Sequence, residues 1–319
     1  MKRFTAICFL SAFATLAVHG GNAMTAPVLY SFESDGNGFN TRNFFLDTGR
    51  EVVVFDAQFT ADYAQQSLQF IRSKTQNPIR YVVITHPNPD KFNGASVFQA
   101  IGAKVIASKA SSDAIPGVHA YKKYFFTQVA KSFTDATYPK EATVDITFSG
   151  SYDLKLEGGA SVQLLELSKP GVSSTQTIAS IPTLNAVIVG DLVHYKAHAW
   201  LEGGLQNGKP VPTIDGWISD LEELKTLYKS QPSEVVYGGR GDEAKLVTAA
   251  NAQITYLKKA DALVSDYVRN LGARRSELST DKAGEHYAAI TKLFEAAFPE
   301  YKYSFMTQFS VYGLVNSKL

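Results

Sequence analysis

Thr85-His86-Pro87-Asn88-Pro89-Asp90-Lys91-Phe92-Asn93-Gly94 is the stretch on which the reading of this chain turns. It continues Arg80 to Thr85, whose Tyr-Val-Val-Ile centre predicts a buried strand. A buried strand running into a loop dense in ligand-capable groups is how a rigid scaffold presents chemistry. Alternate side chains of an extended segment share a side, so His86 and Asn88 project together and could serve one ion. Asp90 and Lys91 lie further along, where a second ion would be served.

Upstream, Val28 to Phe32, Asn43 to Leu46 and Glu51 to Phe55 predict strands, the first two separated by the turn Asp35-Gly36-Asn37-Gly38. Thr60 is a candidate cap for a helix carrying Ala64, Leu68 and Ile71 on one face, stopped by Asn77-Pro78. Downstream come a short helix through Ala100 and a strand from Lys104 to Ala107. Tyr121 to Phe133 is aromatic, basic and helical in pattern. It is read as a helix packed on the sheet, since aromatic stripes are usually core material; the alternative is one wall of a pocket.

The second half has a similar plan. Thr143 to Phe148, Tyr152 to Leu156 and Val162 to Leu167 look like antiparallel strands, followed by Thr177 to Ile181 and by Val187 to Val189 ending at Gly190-Asp191. A helix from about Asp215 puts Trp217, Leu221, Leu224 and Tyr228 on one face. Val235-Val236 is a short strand before Gly238-Gly239, and the remainder keeps helical spacing. Strands followed by helices, twice over, predict an α/β protein of two packed sheets with helices outside.

Lys2 and Arg3, the apolar run Phe4 to Val18 and the small residues Gly21-Asn22-Ala23 have the form of a secretory signal peptide, cut after Ala23. The run is short for a membrane span, which needs about 20 residues. Residues 24–319 are then a single exported domain, periplasmic or secreted, with no membrane association after cleavage. Cys8, the only cysteine, leaves with the leader. The mature chain therefore has no disulfide, thiolate ligand or cysteine nucleophile. The leader also removes two of 31 basic residues against 30 acidic ones, and a near-neutral balance does not suggest a nucleic-acid partner.

The decisive stretch resembles the Thr-His-x-His-x-Asp-His-x-x-Gly signature of the metallo-β-lactamase superfamily. Other landmarks fall in the same order. Asn43-Phe44-Phe45-Leu46 and Val-Val-Val-Phe-Asp56 resemble the opening hairpin and its aspartate. Pro170-Gly171 resembles the turn before the third histidine, Val189-Gly190-Asp191-Leu192-Val193 the strand bearing the bridging aspartate, and Val235-Val236-Tyr237-Gly238-Gly239 the last strand. Asp56-Ala57-Gln58-Phe59 and Ala197-His198-Ala199-Trp200-Leu201 are similar to one subgroup. The resemblance implies a four-layer αββα sandwich, here with a helical C-terminal tail. It also implies that the family's metal ligands are largely replaced. His86, Asp90 and Asp191 are kept, while Asn88, Lys91, Val172 and Gly239 stand where four histidines are expected, with Arg240 beside the last.

Zinc wants about four N, S or O donors. Valine and glycine offer none through their side chains, and a protonated lysine cannot coordinate. The residual metal candidates are His86, Asp90, Asp191 and His198, enough for one zinc ion at most; no cofactor is expected. His194 is read as packing, and His119 and His286 as ordinary surface or helix residues. Asp90 and Asp191 without metals would repel, so Lys91 and Arg240 beside them would supply positive charge; alternatively Lys91 faces solvent and Asp90 caps the next helix. Three functions follow, in this order: a non-catalytic protein binding a small molecule; a single-metal hydrolase of a lactone, ester or amide; and a metal-free enzyme with Asp90 and Lys91 as catalytic groups beside His86. There is no Gly-x-Ser-x-Gly elbow.

Overall fold

The computed structural model describes residues 26–319, so the proposed leader lies outside the described residues. The first sheet runs in the order β1 (Val28–Glu33), β2 (Arg42–Asp47), β3 (Val52–Phe55), β4 (Ile79–Val83), β5 (Lys104–Ser108), β6 (Ile146–Phe148). Its first three strands pair antiparallel and the rest parallel. The second sheet contains β7 (Ser151–Lys155), β8 (Ser161–Glu166), β9 (Thr177–Ile181) and β10 (Ala186–Tyr195). A hairpin, β11 (Gly204–Gln206) and β12 (Lys209–Val211), precedes β13 (Val235–Gly241) and β14 (Ala244–Lys245), which complete that sheet beside β10.

The period of two in a strand explains the layers. Phe44, Leu46, Val53 and Phe55 point one way and meet Val162, Leu164, Ala186 and Ile188 of the other sheet. Their neighbours Phe45, Val52 and Val54 point the other way, against Leu68 and Ile71 of α1 (Ala61–Lys74). Two further helices cover this side, after the single turn α2 (Pro89–Phe92): α3 (Ala95–Gln99) and α4 (Lys109–Tyr124). On the far side Val187 and Val189 meet Trp217, Leu221 and Leu224 of α5 (Ile214–Leu227) and Ile254 and Leu257 of α6 (Leu246–Asn270). The tail adds α7 (Ala283–Ala297), α8 (Phe305–Ser310) and α9 (Tyr312–Asn316). Helix, sheet, sheet, helix is the αββα sandwich that the resemblance implies. Among the described residues no helix is long and apolar enough to cross a membrane.

Thr60 does cap α1, its hydroxyl accepting from Tyr63 N at 3.3 Å. Other expectations need correction. The strand expected over Thr143 to Phe148 is not antiparallel to its successors; Ile146–Phe148 closes the first sheet, parallel to β5, because α4 crosses outside the sheet and returns the chain in the same direction. α4 itself was hidden by Pro116, a helix breaker in most contexts. β10 does not stop near Val189 but runs on to Tyr195, Gly190 absorbing an irregularity at φ +51.

Candidate functional site

β4 and β10 deliver the polar residues to one edge of the sandwich. Asp56 follows β3 at φ +64, and its carboxylate accepts from Thr85 N at 2.9 Å and from the Thr85 hydroxyl at 3.0 Å. That clamp fixes where β4 ends. Thr85 O then accepts from Thr177 N at 2.7 Å, a buried link between the two sheets next to His86. Gly94 closes the loop: a Cβ there would stand 2.0 Å from Ala57 O, so no larger residue fits without movement.

At the centre is a buried cluster of two carboxylates and two cations. Lys91 Nζ lies 2.8 Å from Asp90 Oδ2 and 2.7 Å from Asp191 Oδ1. Arg240 reaches the same acids, 2.9 Å to Asp90 and 2.8 Å to Asp191. Its Nε donates to Phe39 O at 2.7 Å and its Nη2 to the Thr41 hydroxyl at 3.0 Å. Lys91 does not face solvent; its side chain is fully buried. Leaving one of these charges without its partners would be strongly unfavourable in such surroundings, so the four act as a unit.

The protonation states follow. Burial raises Asp90, but Lys91 and Arg240 outweigh it and hold the group down at about 2. Burial is likewise outweighed at Asp191, held well below the ordinary range by Arg240 and Lys91. Burial depresses Lys91, yet Asp191 and Asp90 raise it overall. It is a locked ammonium with no lone pair to give a metal or a proton. Burial lowers His86 to about 4. Its Nδ1 is 3.0 Å from the Thr85 hydroxyl, and its Nε2 is 3.8 Å from Asp191 Oδ2, beyond hydrogen-bond reach.

The structure thus brings His86, Asp90, Lys91 and Asp191 together and adds Arg240. It does not bring His198. That ring sits among Tyr256, Phe294, Phe298 and Tyr301, with Nδ1 3.3 Å from the Tyr256 hydroxyl. His198 is a packing residue of the tail side, since β10 has ended and the chain has turned away before it. The reverse correction applies to His194, whose Nε2 lies 3.3 Å from Asp191 Oδ1. Three residues apart in a regular strand the two would face opposite ways, but the register shift between Gly190 and His194 brings them together. Val172 lies in the core that includes Trp217. At Gly239 a Cβ would stand 2.1 Å from Asp191 Oδ1 and 2.9 Å from Lys91 Nζ, so its missing side chain would have entered the cluster.

These residues do not fit a zinc ion. Both carboxylates are engaged by Lys91 and Arg240, Val172 and Gly239 offer no side-chain donor, and His198 is elsewhere. Among the described residues no group of three or more His, Cys, Asp or Glu is arranged to hold a metal.

A cavity of about 30 Å³, room for a water or two, opens beside the cluster and is lined by Asn88, Asp90, Arg240, Lys122, Phe126 and Trp200 among others. Lys122 forms a buried ion pair with Glu202, which also accepts from Trp200 Nε1 at 2.7 Å. The aromatic stretch that includes Lys122 and Phe126 is therefore a pocket wall, not only sheet packing. Neither Lys122 nor Glu202 was singled out in the sequence, where nothing ties them across 80 positions.

Comparison with known proteins agrees with the geometry. No curated protein sequence matches the chain. A metallo-beta-lactamase from Pontibacter korlensis has a similar structure, with a TM-score of 0.54 and 16% identity over 74% of this chain and 98% of that one. The DIM-1 metallo-beta-lactamase, in a crystal exposed to ceftazidime, follows with a TM-score of 0.51 and 16% identity over 73% of this chain and 93% of its own. TMB-1 is alike at 0.51 and 16%, over 73% and 94%. Identities this low speak for the fold alone, but the sequence profile of the Metallo-beta-lactamase superfamily matches residues 36–240, well over half of the chain. With both sheets, the opening aspartate and the histidine-aspartate loop in place, the chain belongs to the metallo-beta-lactamase superfamily.

Proposed function

We propose that this protein is an exported, non-hydrolytic member of the superfamily that binds a small molecule in the cleft beside the charge cluster. One observation carries the reading: the Lys91 ammonium lies between Asp90 and Asp191, 2.8 Å and 2.7 Å away, where the resemblance implies metal. Arg240 engages both acids from another side. A hydrolase of this kind needs a metal-activated water or a free general base. Here the lysine holds its proton, the carboxylates are ion-paired, and the depressed pKa of His86 makes it a weak base at neutral pH. The basic start, apolar run and small residues ending at Ala23 support export.

The test is elemental analysis of the mature protein purified with neither chelator nor added metal. The expected result is well below stoichiometric zinc, with no thermal stabilisation when zinc is added. About one zinc per chain, as a single-metal mechanism requires, lost together with ester or lactone hydrolysis in a His86→Ala variant, would establish the single-metal hydrolase instead.

A further inference from the structure

Next to the small cavity lies a larger chamber of about 390 Å³, within the range of small-molecule sites. Phe39, Phe59, Phe126 and Trp200 line both, so these rings form a wall shared by the two spaces. Phe125 and Phe133 extend its walls, and Phe305 and Phe309 of α8 form a rim that is 37% and 44% exposed. The rings meet at interlocking angles. Phe39 and Phe59 are 5.1 Å apart and edge to face, Phe59 and Phe126 are 5.1 Å apart and tilted, and Phe39 and Trp200 are 5.7 Å apart and edge to face. Such pairs favour a fixed arrangement.

The wall has an unusual backbone. After Tyr124 the helix widens into a π-helix over Phe125–Val129, with Ala130 N bonded to Phe125 O at 2.8 Å. Within this turn the neighbouring Phe125 and Phe126 both line the chamber. π-turns are rare and are frequently found at functional sites.

The lining restricts the occupant's charge. No charged side chain is among the residues that line the chamber, and those behind the shared wall are already matched, Lys91 and Arg240 by Asp90 and Asp191 and Lys122 by Glu202. An added charge would lose water without gaining an unmatched partner.

Resting on the ligand-binding reading above, we propose that the aromatic chamber takes an uncharged, ring-bearing apolar small molecule. The test is fluorescence titration of the mature chain with two probes sharing one skeleton: neutral N-phenyl-1-naphthylamine and its anionic sulfonate, 1-anilinonaphthalene-8-sulfonate. The neutral probe is expected to bind one site with a dissociation constant at least tenfold lower than the anion's. Phe126→Ala should weaken it at least tenfold. Phe309→Ala, on the exposed rim, should weaken it several-fold in a chain whose circular dichroism is unchanged, and it decides the matter if Phe126→Ala does not fold. Equal or tighter binding of the anion overturns the assignment of a neutral ligand. Absence of binding, or neutral-probe affinity unchanged in Phe309→Ala, overturns the chamber as the site. Zinc is measured on the same samples. A zinc-free chain without probe binding defeats this inference alone, whereas a zinc-loaded, hydrolytic chain that binds the probe defeats the non-hydrolytic reading and leaves the chamber standing.

Discussion

A methyl group added at Gly239 would stand 2.1 Å from Asp191 Oδ1 and 2.9 Å from Lys91 Nζ, so the glycine and the lysine depend on one another. A side chain at 239 and an ammonium at 91 compete for the same volume. Gly239→Ala is therefore expected to cost about 2 kcal/mol, the scale of overpacking, in urea denaturation. Lys91→Met leaves two buried acids with one cation and is expected to cost about 3–5 kcal/mol. In the double variant Asp191 is free to give way, so the losses should fall short of additivity by about 1 kcal/mol; strict additivity would mean that Arg240 alone fixes Asp191. The pH dependence at this scale has two opposed parts. Burial lowers His86 from 6.5 to about 4, so its contribution is present above pH 6.5 and lost as pH falls through about 4. Burial raises Asp56 from 3.8 to about 7, so its contribution is present below 3.8 and lost as pH rises through about 7. Between pH 7 and 4, His86→Gln should therefore lose less stability than the parent chain, by a difference on the order of 3 kcal/mol, and Asp56→Asn should lose more. Denaturation midpoints across that range decide both signs.

At the scale of elements, what sequence patterning reveals depends on whether a rule of local periodicity operates. β3, β4 and β9 are short buried runs, and helix α1 has its cap and its apolar face, so their positions could be read directly. The site loop was legible because a buried strand ran into a cluster of ligand-type residues. The charge cluster was only one of two readings: the resemblance brought Asp90 and Asp191 together, but a solvent-facing Lys91 fitted the sequence as well, and its full burial between the acids is decided by the packing. His194 was not legible, because an irregular register in β10, visible only once β13 pairs with it, rotates its ring toward Asp191. Nor was the true role of His198, which is decided by α6 and α7 packing around it from far along the chain. The π-helix escaped for a related reason, since its wider turn leaves no periodic mark over five residues. Val172 gives an element-scale prediction. It is 1% exposed and packs with the core of α5, so a histidine there buries a polar ring among apolar neighbours. Val172→His should cost about 2–3 kcal/mol, and zinc should not restore the loss, because Lys91 and Arg240 still hold the carboxylates. A rise in melting temperature specific to zinc in this variant would show that the cluster yields to metal.

For the molecule as a whole, the tail lies outside the family match at residues 36–240 yet helps to build the cleft. The Tyr312 hydroxyl is 2.5 Å from that of Tyr121, and its ring stacks near Phe125 at 6.2 Å and 7°. Phe305 and Phe309 line the chamber. A Cβ at Gly313 would stand 2.1 Å from Glu202 O, so α9 rests on the backbone of the residue that pairs with Lys122 and Trp200. Leu314 points instead into the core under the second sheet. The two neighbours thus separate support of the cleft from general stability. Leu314→Ala should cost about 2–4 kcal/mol through the cavity it leaves, with amide exchange rising throughout the second sheet and its helices. Gly313→Ala should cost about 2 kcal/mol by overpacking and act locally. Pushing Glu202 moves its pairing with Lys122 and Trp200, so exchange should rise selectively in residues 121–130 and 198–206, while α1 follows only the global change. If both variants loosen the same segments, α9 is ordinary core material. If only Gly313→Ala loosens the cleft, the tail holds the wall of the binding chamber in place, which makes the helical addition part of the site rather than an appendage to it.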